Sequence, residues 1–256
     1  MKSCTTLLVG VIIGIITFFS FTSSIRANEI LNDDFSSINS TNWVVNVPSG
    51  GTVDIQQNSF LHIFSQNGTA SPYIYLKNVT IPENSFRINV RFMFSGPLNY
   101  GAGIVFSNKL LQNGTTTSLR EGDTIFQIWP SSATTIGISS SICPLSVPSC
   151  VDTQNSTIIT SVNLNTWNTF EIFSDENNSY RLYLNGSQIF ITKPSSLKIS
   201  NIWFGNPENR TNSTKRPEIN IDYLNIFSSN NNLVRSTIII PGLGASCLVL
   251  QQFSQV

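Results

Sequence analysis

The stretch "FRINVRFMFS", Phe86 to Ser95, limits what this chain can fold into more than any other. Phe86, Ile88, Val90, Phe92 and Phe94 recur at every second position, and Arg87, Asn89 and Arg91 fill the positions between. Successive side chains of an extended strand point to opposite sides, so this pattern is a strand with one buried face. "TFEIFS" and "YRLYL" follow the same rule less strictly. In "EINIDYLNIF" it predicts Ile219, Ile221, Tyr223 and Phe227 on one face, against Asn220, Asp222 and Leu224. Asn185-Gly186, inside "LNGSQIFI", predicts a two-residue hairpin turn, because both residues accept positive φ. The polar share comes mainly from Asn, Ser and Thr, which favour turns and strand surfaces over helix interiors. No amphipathic helix and no internal repeat is evident beyond residue 28. The predicted class is all-β, with many short strands in a sandwich or closed barrel.

The 256 residues carry a net charge of zero, and only 11% of them are charged. No basic field exists to attract nucleic acid or an anionic membrane, so neither is an expected partner. The apolar run "LLVGVIIGIITFFSF", Leu7 to Phe21, follows Lys2 and precedes Ala27 at a cleavage-compatible position. Residues 1–27 therefore read as a signal-peptide helix, and the mature chain as a secreted monomer. A retained anchor over Thr5 to Ile25 is the alternative, and the only route to a membrane. Cys143 and Cys150 flank "PLSVPS". In an exported chain that spacing favours a local disulfide, worth about 2–3 kcal/mol by loop closure, with two reduced thiols as the alternative. Cys4 leaves with the signal, and Cys247 has no evident partner.

Sugar recognition needs an aromatic ring against the apolar face of a pyranose and amides or carboxylates for its hydroxyls. "TIFQIWPSS" places Gln127 and Trp129 on one strand face. "NYGAGIVFS" offers Tyr100, and "NIWFGNPENR" offers Trp203 and Asn206. These five residues form a binding cleft if they converge; core packing is the alternative for both indoles. A serine hydrolase elbow, Gly-x-Ser-x-Gly, is absent. The single histidine, His62, alternates with Phe60 and Phe64 and reads as structural or surface. One histidine and no paired cysteine spacing give zinc no support.

The ordered series "LNDDFSSINSTNWVV", "TWNTFEIFSDENNSYRLYLNGSQI", "LKISNIWFGNP" and "INIDYLNIF" resembles the concanavalin A-like lectin/glucanase superfamily, particularly its laminin-G-like members, over residues 28–228. The resemblance implies a two-sheet antiparallel jelly-roll sandwich whose first and last strands lie together. Within it, Trp167 is expected to anchor a strand in the core. Relatives often hold a structural calcium near the paired ends, which assigns Asp222 and Asp34 as ligands, with an edge-strand aspartate as the alternative. Glycosidases of this superfamily carry Glu-x-Asp-x-x-Glu on one strand, and two carboxylates must face the scissile bond. "EGDTIFQIW" keeps Glu121 and Asp123 but has no second glutamate, so no catalysis is expected of this chain.

After a polar linker, 229–235, "STIIIPGLGAS" resembles the first strand and oxyanion loop of an α/β-hydrolase of the lipase and acyltransferase type. Residues 236–256 then read as a truncated start of such a domain, or as a tail. The expected function is that of an exported, non-catalytic module binding a glycan or cell-surface polysaccharide beside a hydrolase. An adhesive module with a protein partner is the alternative.

Overall fold

The computed structural model describes residues 27–57, 59–66, 72–95, 103–108, 124–132, 134–147, 149, 156–205 and 218–228. Among them are fifteen strands and no helix. In chain order these are β1 (Asn28–Asp33), β2 (Trp43–Asn46), β3 (Gly51–Gln56), β4 (Phe60–Ser65), β5 (Tyr73–Leu76), β6 (Phe86–Ser95), β7 (Gly103–Ser107) and β8 (Thr124–Ser132). They continue with β9 (Thr135–Ser140), β10 (Ser156–Ser161), β11 (Asn168–Ser174), β12 (Tyr180–Leu184), β13 (Ser187–Ile191), β14 (Asn201–Gly205) and β15 (Glu218–Ser228).

The strands form two antiparallel sheets. The eight-stranded sheet runs β13-β12-β11-β6-β15-β4-β3, with β1 also paired to β15. The seven-stranded sheet runs β10-β9-β8-β7-β14-β5-β2. The sheets pack face to face as the predicted jelly-roll sandwich, and the first and last strands pair from Asn28 opposite Ser228 to Asp33 opposite Leu224.

Alternation builds the core. In β6 every second residue is buried, Phe86 through Phe94, as expected. Ile104, Phe106 and Ile128 from the seven-stranded sheet meet Val90, Phe92 and Phe170 from the eight-stranded one in a single apolar cluster. Trp43 closes one part of it, with its ring 5.4 Å from Phe35 and 5.6 Å from Phe204. Its buried indole N–H donates to Asp33 Oδ2 at 2.6 Å, which satisfies the polar edge of a large apolar side chain.

Two expectations need correction. The predicted face of β15 holds for Ile219 and Ile221 but fails beyond Asp222. A register shift there leaves Asp222 as an extra residue against β6, so the parity reverses. Leu224 and Ile226 enter the core, while Tyr223 and Phe227 turn outward. The bulge also marks a change of partner: the first half of β15 pairs with β4 and the second half with β1. Trp167, expected in the core, is only half-buried. It precedes β11 on the outward side, packed edge-on to Phe60 at 5.6 Å and under the Arg91 guanidinium at 5.3 Å. The hairpin stands as read: Asn185 and Gly186 have φ of 50° and 78° between β12 and β13.

Candidate functional site

Residues directly opposite one another in neighbouring strands share a face. On the outward face of the seven-stranded sheet, one row runs Ser139, Gln127, Val105, Trp203, Tyr75 and Val44 across β9, β8, β7, β14, β5 and β2. Three residues singled out from the sequence, Gln127, Trp129 and Trp203, therefore lie on one face. The next row holds Ile159, Gly137 and Trp129, then continues beside Gly103 to Gly205, Tyr73 and Asn46.

The second row is nearly bare of side chains between Trp129 and Tyr73, because Gly103 and Gly205 occupy it. The bareness has a backbone cause. A Cβ at Gly103 would stand 2.1 Å from the Ile128 carbonyl oxygen. Gly205 has φ of +108°, a region that only glycine enters freely. Gly137, opposite Trp129, is small for a different reason. A Cβ there would lie 2.4 Å from Cζ2 and 2.5 Å from Cε2 of the indole, so Trp129 rests directly on this glycine. Its indole N–H is buried and has no hydrogen-bond partner among the described residues. An unpaired buried donor of this kind costs about 1–3 kcal/mol. Gln127 and Trp129 are both half-buried, leaving each of them surface to offer.

Trp203 corrects its assignment as a ligand contact. It is 1% exposed, and its rings pack 5.5 Å from Tyr73 and 4.4 Å from Tyr75. Its N–H donates to Ser107 Oγ at 3.3 Å. It braces the face from within a small cluster of its own, with Tyr73, Tyr75 and Val105, separate from the main core. Burial raises the Tyr73 phenol above its ordinary pKa, so it is neutral and can donate. Sequence reading missed Tyr73 and Tyr75, although the alternation in "PYIYL" carried the signal. It also missed Gly137, whose role depends on a cross-strand register that no local pattern shows.

Tyr100, Asn206, Glu121 and Asp123 lie outside the described residues. So do Cys150, Cys4, Cys247, the signal segment and the hydrolase-like segment. Cys143 is buried and disulfide-bonded.

The two carboxylates expected at a calcium have other occupations. Asp222 Oδ2 accepts from Arg91 Nη1 at 2.7 Å. Asp34 Oδ1 accepts from the Ser36 backbone N–H at 3.0 Å, which lowers its pKa. Among the described residues no three His, Cys, Asp or Glu side chains are grouped so that they could hold a metal ion. The Arg91 guanidinium supplies positive charge beside Asp222. His62 sits on the opposite sheet, with Nδ1 3.0 Å from Asp54 and Nε2 3.2 Å from Glu218. It cross-links β3, β4 and β15, the structural place expected of it.

No protein-family model matches the chain, and no curated protein matches it with significance. Solved structures do. One comes from work on endo-acting O-glycanases with which members of the human gut microbiota initiate mucin breakdown. It has a TM-score of 0.56 and 11% identity over 78% of this chain and 99% of that one. The catalytic domain of an endo-1,3-beta-glucanase (laminarinase) from Thermotoga petrophila RKU-1 gives 0.51 and 12%, over 80% and 99%. A carbohydrate esterase from the Shiga toxin-encoding bacteriophage phi24B gives 0.52 and 14%, over 80% and 100%. The likeness is one of fold. It agrees with the concanavalin A-like sandwich that the sequence resembles.

Proposed function

We propose that this protein is an exported carbohydrate-recognition module that holds glycan on the outward face of its seven-stranded sheet. The observation that carries the reading is Trp129. Its half-exposed indole is braced on Gly137, and Gln127 projects beside it on the same strand. A fixed ring next to an amide meets what a pyranose presents, an apolar face bordered by hydroxyls. The polar side chains that β8, β9 and β14 contribute to this face, Gln127, Ser139 and Asn201 among them, are hydroxyls and amides. Tyr100 and Asn206 belong to the proposal through their positions in the chain. One precedes Gly103 in the chain and the other follows Gly205, and these two glycines are paired at one end of β7 and β14.

The names of the structural neighbours support a carbohydrate partner, and they include enzymes. Binding and cleavage therefore have to be read in one experiment. The whole chain is applied to a glycan array, with and without Ca²⁺, beside Trp129→Ala and Gln127→Ala. The bound glycans are then analysed for new reducing ends. Binding lost in a folded Trp129→Ala protein supports the proposal. Unchanged binding in both variants moves recognition elsewhere, and new reducing ends replace recognition with hydrolysis. The hydrolase-like segment at 236–256 fits an accessory role, in which the module holds a catalytic partner at its polysaccharide.

A further inference from the structure

Around one end of the sandwich, the turn between β8 and β9, the segment joining β10 to β11, and the β12–β13 hairpin enclose an open cleft of about 420 Å³. Small-molecule sites span roughly 300–1,000 Å³. The walls present the hydroxyls of Thr134 and Ser161, the amides of Asn163 and Asn185, and the indole of Trp167, and no lining residue is charged.

The lining is fixed before any ligand arrives. Trp167 is clamped between the Phe60 edge and the Arg91 guanidinium. Asn168 Nδ2 donates to the carbonyls of Thr166 at 2.9 Å and Asn163 at 3.3 Å, and its Oδ1 accepts from Asn185 Nδ2 at 2.9 Å. Asn185 Oδ1 in turn accepts from the Thr169 backbone N–H at 2.8 Å. This chain of bonds sets the orientation of the Asn168 and Asn185 amides, and among the described residues none takes the second Asn185 amide proton. The Val162 N–H donates to the Thr134 carbonyl at 3.0 Å, which ties the two walls together.

A cleft whose lining carries no charged residue, with the Asn185 amide held in place, an exposed Asn163 amide, hydroxyls and one braced indole, suits a neutral ligand rich in hydroxyls and carrying an apolar face. We infer that it is a second carbohydrate site, taking an uncharged pyranose unit. The inference stands on this lining, independent of the role proposed for Trp129.

Isothermal titration of the whole chain with laminarihexaose and with chitohexaose tests it, with a heparin hexasaccharide as the charged comparison. Trp167→Ala and Asn163→Ala are each expected to weaken binding of a neutral hexaose by roughly fivefold or more. In a Trp129→Ala background, which removes the sheet-face contact, a residual neutral-hexaose binding event is expected to remain, and to be lost when Asn163→Ala is added. Asn163 is exposed, so its variant keeps the test valid if Trp167→Ala does not fold. The inference falls if neither neutral hexaose binds, or if heparin is preferred. It also falls if a folded Asn163→Ala protein and a folded Trp167→Ala protein both bind as the parent does. Loss of all binding in Trp129→Ala, with both cleft variants unchanged, removes the cleft and keeps the sheet face. The reverse pattern keeps the cleft and removes the sheet face.

Discussion

Among single residues, Gly137 gives the sharpest expectation. Its substitution by alanine puts a methyl where the Trp129 indole lies, at 2.4 Å from Cζ2. The ring must leave, and overpacking of this kind costs about 1–3 kcal/mol. Gly137→Ala should therefore shift tryptophan fluorescence, lower the unfolding midpoint in urea, and weaken glycan binding together; an unchanged spectrum would show that the ring has room. Asp34 and Glu83 make a second expectation. The Ser36 backbone N–H lowers the pKa of one, and Lys198 lowers that of the other. A carboxylate with a depressed folded pKa contributes stability above its unfolded pKa, and loses that contribution as pH falls through the folded value. Stability should thus decline in acid below about pH 4.5, and less so in an Asp34→Asn, Glu83→Gln protein. Equal acid profiles for the two proteins would contradict this. Gln127 and Trp129 were legible in the sequence because two residues apart on a strand means one face. The burial of Trp203 was not, since an indole that braces a face and one that offers itself share the same alternation.

At the scale of an element, β15 teaches the limits of pattern. Its alternation was readable up to Asp222, and the bulge there was not, because Tyr223 and Phe227 continue the same apolar parity past it and disguise an added residue. The bulge brings Asp222 to Arg91, with both side chains part-exposed, so the pair contributes about 1 kcal/mol or less. Arg91→Ala removes both this pair and the guanidinium over Trp167, and should lower the unfolding free energy by about 1–2 kcal/mol. Chelation, or added Ca²⁺, should leave the thermal midpoint where it is. A calcium-dependent rise of several degrees would restore the metal to Asp222 and refute the ion-pair reading. The β12–β13 hairpin shows the opposite case, in which two letters, Asn-Gly, carried the whole geometry. Asn185→Ala removes a side chain that accepts from Thr169 and donates to Asn168. It also places a Cβ-bearing residue without local hydrogen bonds at φ of 50°. A loss of about 1–3 kcal/mol is expected by chemical denaturation.

For the whole molecule, period-two alternation was enough to give class, and an ordered series of weak motifs was enough to suggest the sandwich. What no motif could show is which strands become neighbours. That is why Gly137, Gly103 and Gly205 meant nothing until the seven-stranded sheet set them around Trp129 and Tyr73. The pairing of β1 with β15 also has a mechanical meaning. Asn28 lies opposite Ser228, so the chain enters and leaves the sandwich side by side. Tension drawn through those two points loads the outermost bonds of the ladder first, and they open one after another like a zipper. β15 keeps its partner β6 along its length, so β1 peels away alone. Six residues released in this way lengthen the tether by roughly 20 Å while the two sheets stay closed.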